Sequence, residues 1–195
     1  MNERIRFILA NGMCKVKLRE GERKMEKKGN AKKAALYGLL IALAMIFSFV
    51  ESLIPIPIPV PGVKLGLANL VTVTGLYLIG IPGTICVTLL RIVLTGFSFG
   101  NPYSMLYGLS GSMVSLLVMS LAKKHRWFSI LGVSVLGGIF HNIGQITFAA
   151  LIVRTPGLYY YLPALLTAGS IAGVLIGMIG GIVTDRLGKF TKNMS

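Results

Sequence analysis

Acidic residues are scarce in this chain. Only six of 195 residues are Asp or Glu: Asp185 is the single aspartate, and four of the five glutamates lie before residue 27. Metal-assisted diphosphate chemistry needs clustered carboxylates to hold Mg²⁺, and this set cannot supply a cluster. A Ser/His/Asp arrangement is equally out of reach, because His125 lies in a basic run and His141 has no carboxylate nearby in sequence to orient it. No Gly-xxxx-Gly-Lys-Ser/Thr phosphate loop occurs, so ATP hydrolysis is not expected. Cysteine is rare too. Cys14 and Cys86 stand alone, which argues against a structural disulfide or a thiolate metal site. The chain reads as a non-enzyme with no metal and no cofactor.

What is abundant is apolar sequence. Hydrophobic residues make up 54% of the chain and charged residues 13%, and the mean hydropathy is +0.75. A helix crossing the ~30 Å hydrocarbon layer needs roughly 20 mostly apolar residues. Such runs recur at residues 34–54, 65–79, 83–99, 104–122, 128–153 and 162–184, which predicts an all-α integral membrane protein of six transmembrane helices. The 65–79 and 83–99 runs are joined so tightly at Gly80-Ile81-Pro82 that a re-entrant pair is the alternative. Three regions follow: a basic leader at 1–33, part of which is not translated if synthesis starts at Met25, a membrane domain at 34–185, and a basic tail at 186–195.

The net charge of +14 does not imply nucleic acid, because the basic residues sit in flanking blocks without interleaved aromatics. It is a topology signal. With the N-terminus inside, the inner segments hold eleven Lys/Arg in the leader, three in Lys123–Arg126 and three in the tail, against Lys64 and Arg154 outside. Both termini are therefore expected in the cytoplasm. The remaining basic residue, Arg91, falls within the third span.

An ionisable side chain in mid-span costs at least ~2.5 kcal/mol unless it meets a partner or a watery cavity. Thr84, Thr88, Arg91 and Thr95 line one face of the third helix, and Arg91 is either locked to Glu51 as an ion pair or presented to a ligand. His141, Asn142 and Gln145 form a second polar group in the fifth span. With the expected topology, Glu51, Lys64, Asn69, Arg91, Asn101, Tyr103, Tyr107, Asn142, Gln145 and Tyr159–Tyr161 all lie at mid-membrane or on its outer side. This one-sidedness predicts an outward cationic pocket of Lys64, Asn69, Arg91, Tyr103, His141, Asn142 and Gln145. The stiff run Pro55-Ile-Pro-Ile-Pro-Val-Pro-Gly62 would form its lid. Gly169, Gly173, Gly177 and Gly181 recur every fourth residue, a stripe for close approach of another helix, either internal or on a partner chain. Ala31/Ala35 and Gly38/Ala42 repeat the theme near the inner end of the first span.

The stretches Val63–Leu70, Leu90–Gly100, Leu109–Ser112 and Gly137–Gln145, within a match over about 34–185, resemble the small bacterial family of heptaprenyl diphosphate synthase component I, also called Gx transporter proteins. That family looks like a relative of the substrate-binding S components of energy-coupling-factor vitamin transporters. The resemblance implies a six-helix bundle in the bacterial plasma membrane. It also implies capture of substrate from outside and toppling driven by a coupling protein and two ATPases, with Ala31, Ala35, Gly38 and Ala42 as the docking face. The expected function is a substrate-binding subunit for uptake of a small anionic or amphipathic compound, such as a flavin, a vitamin or an isoprenoid or quinone precursor. The alternatives are a non-catalytic membrane subunit of a heptaprenyl diphosphate synthase and a membrane assembly factor for a redox complex.

Overall fold

A computed structural model of the chain describes residues 31–53, 66–126 and 128–192, with side chains to residue 188. Residues 1–39 form one unit and 40–195 another. The described part of the first, residues 31–39, is helical and mostly exposed. In chain order the helices are α1 (Ala31–Ser52), α2 (Asn69–Leu78), α3 (Gly80–Ser98), α4 (Pro102–Lys124), α5 (Ile130–Val153) and α6 (Leu162–Lys192), with a 3₁₀ turn at Pro156–Tyr161 before α6. Among the described residues there is no strand.

The solvent logic is that of a multi-pass membrane protein. Large apolar side chains such as Leu117, Leu151 and Ile171 face outward, while Ser48, Glu51, Thr84, Arg91, Asn142 and Gln145 are buried. A water-soluble bundle would invert this order. Among the described residues, five helices are long and apolar enough to cross a bilayer. The expected second span is shorter than the sequence suggested: α2 has ten residues, about 15 Å of helix against ~30 Å of hydrocarbon. The approach from Gly66 to Ala68 does not join the helix. Gly66 takes a left-handed φ of 91°, and Asn69, Leu70 and Val71 donate to the carbonyls of Gly66, Leu67 and Ala68 in tight three-residue steps.

Two contacts fix where α2 lies. A side chain at Gly66 would meet the His141 ring, so α2 begins level with the middle of α5. At its other end Lys123 Nζ, in the last turn of α4, donates to the Leu76 carbonyl and sits 4.8 Å from the centre of the Tyr77 ring. The half-length helix therefore runs from mid-bundle to the end that carries Lys123, Lys124 and Arg126. Val73 and Leu76 pack there with Met119, Val133 and Ile176. A second apolar cluster of Tyr107, Ile146, Ala149, Leu158 and Leu165 closes the opposite end. The polar side chains lie between the two.

Local signals explain the helix ends. Asn101 caps α4 by accepting from the Ser104 amide at 2.7 Å, and Ser104 Oγ accepts from the Asn101 amide, with Pro102 in the first turn. The α5–α6 pair is held by the glycine stripe. A methyl on Gly173 would lie 2.7 Å from Val135 Cα and one on Gly177 2.8 Å from Leu131 Cα, whereas Gly181 meets nothing within 4 Å. Backbone approach of this kind is where helix packing in lipid gains its dispersion energy.

Candidate functional site

Arg91 stands just past the midpoint of α3 and is 9% exposed. Its fork reaches two helices: Nη1 donates to Ser48 Oγ of α1 at 3.2 Å, and Nη2 to Ser112 Oγ of α4 at 3.1 Å. The rest of the polar face expected on α3, namely Thr84, Thr88 and Thr95, is buried with it. Glu51 supplies the balancing charge electrostatically. The Glu51 carboxylate also has direct work elsewhere, since Oε1 accepts from the Gly66 amide and, at 3.2 Å, from the Leu67 amide. An anion therefore sits where α2 is about to begin, which suits the partial positive charge of a helix N-terminus.

These groups surround a cavity of about 30 Å³ that extends towards the first turns of α4. Its polar walls include Glu51, Asn69, Arg91, Ser112, His141 and Gln145, with Thr72, Thr95 and Ser104 beyond. Gln145 Nε2 and His141 Nε2 are 3.0 Å apart, so the two residues one turn apart on α5 act as a pair. Two buried donors of residues that line it, Asn69 Nδ2 and Arg91 Nε, meet no hydrogen-bond acceptor among the described residues. A buried polar group left without a partner costs about 1–3 kcal/mol, and Asn69 Nδ2 is packed towards α5, where a methyl on Gly137 would lie 2.7 Å from it. The space suffices for one or two water-sized groups.

The site predicted from sequence is partly assembled here. Asn69, Arg91, His141 and Gln145 share the cavity. Lys64 and the proline-rich run lie outside the described residues. Asn142 is turned away: it is fully buried against α6, where Nδ2 donates to the Leu165 carbonyl at 2.7 Å and would collide with any side chain at Gly169. Adjacent helical residues diverge by about 100°, and here His141 lines the cavity while Asn142 packs on α6. Tyr103 is 58% exposed on the first turn of α4 and does not line the cavity, although the next residue, Ser104, does. With Phe97 and Tyr160, also exposed, it matches the aromatic girdle of a membrane interface.

Ser48 and Ser112 are the residues that sequence reasoning missed. A serine in an apolar helix is common, and the clues were slight: Ser48 lies three residues before Glu51, on the same face, and Ser112 ends the stretch Leu109–Ser112. Ala31, Ala35, Gly38 and Ala42 are all exposed on α1.

A family model described as heptaprenyl diphosphate synthase component I matches residues 40–183. No curated protein and no solved structure matched the chain.

Proposed function

The chain belongs to the heptaprenyl diphosphate synthase component I family, and on that premise we propose that it is a non-catalytic membrane subunit that works beside a separate prenyl-elongating chain. In this reading the cavity around Arg91 holds an anionic group of a small compound. The family description supports the partner, since a component implies another. The carboxylate inventory supports the division of labour: outside the leader the sequence offers only Glu51 and Asp185, too few to hold the metal ions that diphosphate transfer uses. Binding, orientation and exclusion of water are what these residues can perform.

The observation that carries the binding role is the buried Arg91 guanidinium, which lines one cavity with Asn69, His141 and Gln145. A guanidinium offers an oxyanion charge-assisted hydrogen bonds, and the Glu51 carboxylate on the same wall balances part of its charge. Ser48 and Ser112 hold the guanidinium in place, so the anion would meet a pre-oriented cation.

The second reading is the uptake subunit: an S-component-like protein in the bacterial plasma membrane, both termini cytoplasmic, docked by Ala31, Ala35, Gly38 and Ala42. It is favoured by one feature, the extension of the cavity to Ser104, near the end of the bundle away from Lys123–Arg126. Co-purification in mild detergent from the native host separates the two readings. Recovery of a soluble prenyl-elongating chain supports the accessory subunit. Recovery of a transmembrane coupling protein with ATPases overturns it in favour of uptake.

A further inference from the structure

The polar cavity has an apolar neighbour. Between α3 and α4 runs an outward-facing seam of about 340 Å³, walled by Ile81, Ile85 and Leu89 on one side and Met113, Leu117 and Leu121 on the other. It extends from the basic end of the bundle to Ile92 and Ser112, and those two residues also line the polar cavity. Ser112 Oγ is the acceptor for Arg91 Nη2. The seam therefore ends on the residue that holds the guanidinium, and no charged residue lies along it. From Ile81 to Ile92 it is about 16 Å long, enough for an extended hydrocarbon chain of roughly a dozen carbons.

We propose that this seam binds the chain of a single-chain anionic amphiphile whose head lies at Arg91, and that the ligand enters sideways from the bilayer between α3 and α4. The proposal rests on the assignment of the Arg91 cavity as an anion site. Charge complementarity selects the head: an oxyanion beside Ser112 Oγ adds a charge-assisted acceptor for the Arg91 guanidinium. The walls select the number of chains, because two helices facing each other across one file of side chains leave width for one. A freely soluble anion would have no use for the seam. An ordinary two-chain lipid would leave its second chain outside.

The test uses the full chain in phosphatidylcholine nanodiscs and a dodecyl phosphate carrying a diazirine at mid-chain, compared with the same chain ending in an uncharged alcohol. The phosphate probe should label peptides containing Ile85, Leu89 or Leu117 about tenfold more than the alcohol, the worth of one charge-assisted hydrogen bond. Leu117→Trp, a lipid-facing change, should abolish that labelling, and Arg91→Met should reduce it to the alcohol level. Equal labelling by the two probes would mean that the seam holds bulk lipid and would overturn the proposal. Butyl phosphate binding separates the two layers of argument. If it binds in an Arg91-dependent way while dodecyl phosphate labels elsewhere, the anion site stands and the seam falls. If it fails to bind and the phosphate head gives no labelling advantage, the anion site itself is overturned.

Discussion

The Glu51 carboxylate and the Gly66 amide are hydrogen-bonded across fifteen residues of sequence. The bond ties the last turn of α1 to the segment that leads into α2, and the same oxygen takes the Leu67 amide. One buried acidic side chain thus satisfies backbone donors that no helix satisfies, and it does so in the electrostatic field of Arg91. In a bilayer these amides have no water to turn to.

Removing that acceptor should be costly. Glu51→Ala strands the buried Gly66 amide and the partly buried Leu67 amide and leaves Arg91 without its counter-charge, and a loss of about 3–5 kcal/mol is expected. Glu51→Gln, whose amide oxygen can still accept, should lose clearly less. Unfolding titrations in mixed detergent would measure both; an alanine variant as stable as the parent would refute the role.

Arg91→Lys tests the fork. An ammonium cannot reach Ser48 and Ser112 in the planar two-pronged manner of a guanidinium. The variant should lose about one hydrogen bond, roughly 1 kcal/mol of stability, and bind butyl phosphate more weakly than the parent in equilibrium dialysis. Arg91→Met should not bind it at all.

Asn69 and Asn142 should behave in opposite ways. Asn142→Ala removes the bond to the Leu165 carbonyl and should cost about 1 kcal/mol, with anion affinity unchanged. Asn69→Ala removes a donor without an acceptor among the described residues. Its stability should stay within about 0.5 kcal/mol of the parent, while anion affinity falls. Measuring melting temperature and affinity on both variants tests the assignment, and an Asn142→Ala that loses affinity would count against it.

The glycine stripe predicts a gradient. Gly173→Leu places a side chain against the Val135 backbone and should destabilise by about 1–3 kcal/mol or more. Gly181→Leu enters open space and should leave the melting temperature in detergent nearly unchanged. If Gly181→Leu instead changes the oligomeric state seen in native mass spectrometry, that end of the stripe faces another chain.

Much of the fold was legible in the residues. Long apolar runs declare membrane helices because a bilayer leaves the backbone no partner outside the helix, and α3 to α6 lie close to where those runs lie. Arg91 announced itself, since charge is so costly at that depth that its presence needs a reason. The partial length of α2 was not legible. Residues 65–79 read as one apolar run, and only the left-handed turn at Gly66, held by the distant Glu51, shows that Gly66 to Ala68 stay outside α2.

Composition and periodicity by themselves determined the solvent, the class of fold, the polar face of α3 and the tight stripe on α6, because these depend on residue type and on spacing within one helix. Which polar residues meet was decided by the tertiary structure alone. His141 and Asn142 are neighbours in sequence, yet one lines the cavity and the other packs on α6. Ser48 and Ser112, unremarkable in their own helices, hold the Arg91 guanidinium between them. The reason is geometric: a helix sets the direction of each side chain, but the partner it finds depends on the rotation and depth at which another helix packs, and those follow from contacts far apart in sequence.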